Sequence, residues 1–367
     1  MSSANSRFQF SMATADDDAA LRTRMASDWL RGSLSLSFRR EPSYFAGCCV
    51  QGEQTQVLKC VDQNDGAVVG MATRVITQMY VNGDVQRVGL LSDFRLAPQV
   101  RGGTILARGY RYFREWHAND PVDFYLAVIL EGNDRAINTF TSGRAGFPVL
   151  RDLGRMLSPA IHLDLPKSQL PVPGIQFRRA TDNDAQALRE LHGAAAVRRQ
   201  FARVDYADLP GLSPSNYFVA VDQSGSLLGC VAAWDQQAVR QTYIEAYTPW
   251  LGALRPVYNL VCRVLPIKPL PAPGQRIPYV YLSAIALRQD DLALWRGLLR
   301  YAYGELLRGP WHYAIAALHE QDPLATALRD YRSIASAGRV FAVYFPEQLH
   351  HMARLDARVP YVDLARA

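Results

Sequence analysis

The chain has 367 residues, 49% of them hydrophobic and 20% charged, with a formal net charge of +6. This length suits two domains better than one, and the composition is that of a folded globular protein rather than a disordered or fibrous one. The mild positive balance favours an anionic ligand such as coenzyme A, an acyl carrier protein or a nucleic acid, but no basic block interleaved with aromatics marks a nucleic-acid face, and none is expected.

Taken in order, the opening residues have no basic region followed by an apolar core, so no secretory signal is read there. Phe8 to Thr14 reads as a first strand. Asp16, Asp17 and Asp18 suit the start of a helix, where carboxylates meet free N–H groups, with Leu21, Met25 and Trp29 on one face. Cys48 and Cys49 follow, and a thioacyl intermediate on either would need a histidine partner that the local sequence lacks. The five cysteines make no C-x-x-C pair, so neither a disulfide framework nor a metal site is expected. Gly66-Ala67-Val68-Val69-Gly70 reads as a hairpin. Leu90 to Leu96 is an apolar strand stopped by Pro98, which has no N–H to donate. Arg101-Gly102-Gly103-Thr104 opens a helix from Ile105. Its apolar face is Ile105, Leu106, Gly109, Tyr112, Phe113 and Trp116, opposite Arg108, Arg111, Arg114 and Glu115. A glycine turn at a helix start presents amides and the positive dipole end, which suits a phosphate. It is neither a Walker loop, since no Lys-Ser/Thr follows, nor a G-x-G-x-x-G fingerprint. A second apolar run, Val122 to Leu130, leads to Glu131-Gly132-Asn133, a helix from Asn133 to Ser142, and Arg144-Ala145-Gly146-Phe147.

An internal repeat follows. Phe8-Gln9-Phe10-x-x-Ala13-Thr14-x-x-Asp17-x-x-Ala20-Leu21-Arg22 returns as Ile175-Gln176-Phe177-x-x-Ala180-Thr181-x-x-Asp184-x-x-Ala187-Leu188-Arg189. Gly66–Gly70 returns as Gly225–Gly229, and Leu91-Ser92 as Leu282-Ser283 within a strand Tyr279–Leu287. The period is too long for a solenoid and marks two copies of one domain. We place them at 1–163 and 175–347, with a proline-rich connection at 164–174 and a tail at 348–367. After Leu287 the second copy has Asp290-Asp291 and no glycine, which disfavours a pyrophosphate, while Leu294, Trp295, Leu298, Leu299, Ala302 and Leu306 keep the amphipathic helix. An insertion at 236–278 reads either as a lid over a substrate or as a helix packed between the copies, and we favour the packed helix. His350-His351 are adjacent, diverge on any element, and read as surface residues.

Residues 7 to about 163 resemble the GNAT superfamily of acyl-CoA N-acyltransferases. There a strand ending in proline leads into Gln/Arg-x-x-Gly-x-Gly/Ala, here Gln99, Gly102 and Thr104, followed by a splayed strand, an Asn-initiated helix and Gly-Phe. The resemblance implies an α/β (α+β) fold of two tandem domains, each a mixed, mainly antiparallel central sheet flanked by helices. It implies an N-acyltransferase, most simply an acetyltransferase, moving an acyl group from acyl-CoA to a primary amine by direct attack in a ternary complex, without a metal. Coenzyme contacts then fall on Phe94, Leu96, Gln99, Arg101, Gly102, Gly103, Thr104 and Asn133, in the first copy only. The base candidates are Asp93, which could instead pair with Arg95 or Arg87, and Glu131. The usual tyrosine acid is missing, because Phe140 or Ser142 takes its place; Tyr125, Tyr110 or a residue from the second copy could substitute, or water. The acceptor is a small-molecule or peptide amine. The alternatives are a long-chain acyl-CoA or acyl carrier protein as donor, and a non-catalytic CoA-ester sensor. A cytoplasmic protein with no membrane span is expected.

Overall fold

The computed structural model describes residues 7–52, 54–101, 104–141, 146–206, 209–265 and 267–367. The first half runs β1 (Phe8–Met12), α1 (Asp18–Ala26), β2 (Leu34–Arg39), α2 (Tyr44–Cys48), β3 (Gln54–Asp62), β4 (Val68–Val81), β5 (Asp84–Leu96), α3 (Ile105–Asn119), β6 (Tyr125–Leu130), α4 (Asp134–Phe140), β7 (Val149–Leu157) and β8 (Ala160–His162). The second runs β9 (Ile175–Arg179), α5 (Ala185–Ala196), β10 (Tyr217–Asp222), β11 (Leu227–Trp234), β12 (Gln241–Tyr247), α6 (Pro249–Val261), β13 (Tyr279–Leu287), α7 (Leu292–Leu306), β14 (Tyr313–Ala316), β15 (Leu318–His319), β16 (Ser333–Ile334), β17 (Ala337–Tyr344) and α8 (Leu349–Ala353).

Local chemistry explains why the repeat enters both copies in the same way. Thr14 and Asp17 form a capping box, the Thr14 amide donating to the Asp17 carboxylate at 2.8 Å. Thr181 and Asp184 repeat it at 2.7 Å. The T-x-x-D spacing satisfies N–H groups at a helix start, so the same four residues turn the strand into the helix twice. The helices then bury one stripe each: Leu21 and Met25 on α1, and Leu188, Leu191 and Ala195 on α5. α7 keeps its own stripe, Leu294, Trp295, Leu298, Leu299, Ala302 and Leu306. Trp29 departs from expectation. α1 ends at Ala26, Asp28 is tied to Arg24 at 2.8 Å and Arg101 at 3.2 Å, and Trp29 lies outside the helix, 47% exposed.

Among the described residues the strands form an eight-stranded sheet, β1-β3-β4-β5-β6-β17-β7-β15, a seven-stranded sheet, β16-β8-β14-β13-β11-β10-β9, and a β12-β2 pair. Pairing is antiparallel except β5 with β6 and β13 with β14. β10 and β13 are buried almost throughout, as strands covered on both faces must be. The sheets do not follow the linear division of the chain. β17, late in the sequence, inserts between β6 and β7 of the first sheet. β8, from the first half, pairs with β14 and β16 in the second. A cut at 164–174 would therefore take β15 and β17 from the first sheet and β8 from the second, and would part β12 from β2. That connection lies along α7, where the Tyr303 hydroxyl donates to the Leu165 carbonyl and Arg300 to that of Ser168, both at 2.7 Å. The tail is not peripheral either: Tyr361, Val362 and Ala365 are core residues.

β5 and β6 approach closely because Gly89 has no side chain. A Cβ built there would lie 2.0 Å from Cδ1 of Tyr125, which is fully buried and held by Arg74 at 3.1 Å and His117 at 2.8 Å. Neither neighbour can give way cheaply. Gly89→Ala is expected to destabilise the protein by about 1–3 kcal/mol. Thermal melting checks it, and an unchanged transition would show that Tyr125 has room to move.

Candidate functional site

The site is built around an irregularity in β5. Its pairing with β4 slips between Met71 and Thr73, so Asp93 and Phe94 bulge opposite Ala72. Asp93 adopts φ 51°, a left-handed conformation that side chains other than Gly, Asn and Asp resist. On the other side β5 pairs with β6 only from Gly89 to Leu91, opposite Tyr125 to Ala127, and the two strands then part. The bulge thus sits at the mouth of a splayed cleft, where strand amides turn from the sheet.

The second copy repeats this geometry. β11 and β13 slip between Cys230 and Ala232, Ala284 adopts φ 52°, and β13 pairs with β14 only from Tyr279 to Leu282. There the cleft is filled by the tail. The amides of Ala284 and Ile285 donate to the Asp363 carboxylate at 3.0 Å and the Tyr361 hydroxyl at 2.8 Å, and the Ser283 hydroxyl also donates to Asp363. The helix start is filled as well. Asp291, expected to repel a phosphate, accepts from the Ala293 and Leu294 amides at 2.7 and 3.1 Å, so the anion position of α7 is taken by its own side chain. Asp290 pairs with Arg199 at 2.9 Å.

In the first copy Thr104 caps α3 without a side-chain hydrogen bond. Gln99, in a 3-10 turn at Pro98–Val100, is exposed, and Arg101 donates to the Leu96 carbonyl at 2.7 Å. Gly102 and Gly103 lie outside the described residues, as do Ser142, Arg144 and Ala145. Phe94 is 41% exposed in the cleft, edge-on to Phe140 at 5.2 Å. Phe140 in turn meets Tyr110, which stacks near Phe147 at 4.5 Å. Leu96 packs inward with Cys60, Val69, Ala97 and Ile105. Asn133 is the N-cap of α4, its side chain accepting from the Ala136 amide at 3.3 Å, so that side chain is committed to the helix.

Both base candidates are occupied. Asp93 pairs with neither Arg95 nor Arg87 but with Arg40, whose guanidinium is fully buried. Arg40 also reaches the Cys48 sulfur at 2.8 Å and Gln51 at 3.0 Å. The Tyr44 hydroxyl donates to Asp93 at 2.9 Å and shares a 2.6 Å bond with Thr73, while Gln51 donates to Ser92 at 3.0 Å. Burial alone would raise the Asp93 carboxyl. The charges of Arg40, Arg95 and Arg240, with the Tyr44 hydrogen bond, hold it below its ordinary value instead. Such a carboxylate is a weak base. Nothing in the spacing of Arg40, Tyr44 or Gln51 announced them, because their partner arrives from a strand half a domain away. Glu131 stands in the turn after β6, gripped by Arg155 Nε at 2.5 Å and Nη2 at 2.8 Å, and that hydrogen-bonded partner lowers its pKa. It borders an open cleft of about 410 Å³ with Leu30, Arg155, Leu157 and Arg329.

The other candidates divide similarly. Tyr125 is buried under Arg74 and His117, and burial pushes its phenol up to about 12. Tyr110 stands in the aromatic cluster, its phenol also raised by burial. Cys48 is buried, which pushes its thiol up to about 11, away from a nucleophile's range. His351 pairs with Asp123 at 3.0 Å, and among the described residues no cluster suits a metal ion.

No known family profile and no curated protein sequence matches the chain. Solved structures do. A GCN5-related N-acetyltransferase from Sphaerobacter thermophilus is 14% identical, with 98% of this chain and 99% of that one covered and a TM-score of 0.57. Saccharomyces cerevisiae N-myristoyltransferase with bound myristoyl-CoA is 10% identical, with 92% and 79% covered and a TM-score of 0.61. With the bulged and splayed strand pair present twice and the likeness spanning nearly the whole chain, this protein has the GNAT, or acyl-CoA N-acyltransferase, fold in tandem.

Proposed function

We propose that the chain is an acyl-CoA-dependent N-acyltransferase working through its first copy alone. The observation that carries this reading is the contrast between the copies. The second copy's bulge amides and helix start are taken by Asp363, Tyr361 and Asp291. In the first copy Thr104 makes no such cap and Phe94 stays exposed in the cleft. The myristoyl-CoA bound by a structural neighbour supports an acyl-CoA as donor.

In this reading the coenzyme pyrophosphate lies on the amides of Gln99 to Thr104 and the start of α3, and the pantetheine arm runs along Phe94 to Leu96. A primary amine attacks the thioester carbonyl directly. The oxyanion is met by a main-chain amide of the bulge, whose position is set before the substrate arrives. The C–N bond forms, the C–S bond breaks, and the coenzyme leaves as a thiolate, which needs little help because a thiol's pKa is only about 8.5. With Asp93 and Glu131 held by arginines, the amine's proton passes to water, and the rate rises with pH as more acceptor arrives neutral.

Calorimetry with coenzyme A is expected to give a stoichiometry near one, and a thiol-release assay with an amine library and donors of increasing acyl length is expected to turn over. Two sites per chain would sink the one-copy assignment. Binding without thiol release from any amine would leave a CoA-ester sensor.

A further inference from the structure

The insertion joins the two copies, but not by a helix packed between them. Its strand does the joining: β12 pairs with β2 from the first copy. α6 has no buried residue. Trp250, Leu254, Val257, Leu260 and Val261 lie on one side of it at helical spacing, between 42% and 62% exposed, and Val264 just beyond is 85% exposed. The polar side chains face the protein. Arg255 donates to the carbonyls of Leu270 and Pro271 at 3.1 and 3.0 Å, and Asn259 both donates to and accepts from the Leu270 backbone, at 3.0 and 2.8 Å. The returning strand is laced to β12 through Gly274, Gln275 and Ile277. The helix is therefore fixed with its apolar face outward, the reverse of ordinary amphipathic packing.

What covers this face is indicated by charge. From Ala246 to Pro278 there is no Asp or Glu, while Arg255, Arg263, Lys268 and Arg276 are present. Arg263 is exposed beside the apolar face, Lys268 half-buried and Arg276 exposed on the returning segment. An apolar ridge ending in a tryptophan, on a segment whose charged residues are all cations, fits an anionic bilayer surface, where the ridge enters the acyl boundary and the cations meet headgroup phosphates. We propose that α6 docks the protein onto anionic lipid membranes, lying in the interface plane. No described helix is long and apolar enough to cross a membrane. This placement is independent of the chemistry proposed for the first copy.

The test is flotation of the full chain with phosphatidylglycerol-rich vesicles and with pure phosphatidylcholine vesicles. Binding to the anionic vesicles is expected, weakened by high salt because the cations' contribution is screened. Leu254→Glu with Val257→Glu is expected to cut it roughly tenfold or more, since two buried apolar contacts are replaced by charges that the headgroups repel. Thermal melting of the double variant, expected to match the parent, separates lost docking from lost folding. No binding at low salt, equal binding to neutral vesicles, or undiminished binding by the folded double variant would overturn the proposal. So would light scattering that shows a dimer dissolved by the double substitution with no vesicle bound, which assigns the face to a second copy.

Discussion

Asp93→Asn is expected to lower stability by about 3–5 kcal/mol at neutral pH, because it leaves the fully buried Arg40 guanidinium without its counter-charge. Asparagine is the informative replacement. It keeps the shape of aspartate and tolerates the left-handed conformation at φ 51°, so the loss reports the charge and not backbone strain. The pH dependence has a definite sign. The folded carboxyl titrates below its ordinary value, so its stabilisation is complete above the unfolded pKa of about 4 and is lost as pH falls through the lower folded value. The gap between wild type and variant should therefore be constant from neutral pH down to about 4 and close below it. A pH–rate series on the same two proteins supplies the second readout. With Asp93 as a positioning residue, the variant keeps the shape of the wild-type profile. A variant of normal melting temperature whose rate falls roughly 10²–10⁴-fold, with the loss shrinking at higher pH, would instead make Asp93 the general base.

His192 should make the wild-type protein acid-sensitive at milder pH. It is buried in the second copy, stacked on Tyr206 at 4.7 Å with the Cys230 sulfur 3.6 Å away, and burial pushes its pKa down to about 4. The groups around it, Tyr206, Tyr217 and Cys230, are themselves raised by burial and stay neutral, so none compensates a proton on the ring. An unfolded chain takes that proton near pH 6.5, and the folded one resists it until about 4. Between those values the unfolded state binds more protons, so stability is lost as pH drops, by about 3 kcal/mol from this residue on reaching pH 4. His192→Leu is expected to flatten the curve between pH 6.5 and 4. An equal slope in the variant would assign the acid sensitivity to other groups.

Much of the architecture was legible without coordinates because it is written in local chemistry. The T-x-x-D capping box recurs with its flanking strand and helix, so two copies of one domain followed from the pattern Phe8–Arg22 and its return at Ile175–Arg189. The stripe on α7 and the glycine turn before α3 depend on residues a few positions apart, and such spacings survive in any single sequence. Asp290-Asp291 marked the second copy as unlike the first. The mechanism was only half legible, however: repulsion of a phosphate was expected, while the structure has Asp291 capping its own helix.

What the tertiary structure decided is everything that joins distant segments. β17 crosses into the first sheet and β8 into the second because an unpaired strand edge takes whichever partner the packed copies bring beside it, and no local pattern names that partner. Asp93 was visible as a carboxylate on the right strand, but its partner Arg40 arrives on the segment after β2, and only that meeting turns a candidate base into a held charge. Tyr361 and Asp363 read as an unremarkable tail until the fold lays them in the second cleft. The insertion's apolar residues were plain in the sequence. Composition alone could not say whether they pointed inward or outward, since that depends on which face of α6 the Arg255 and Asn259 hydrogen bonds hold against the protein.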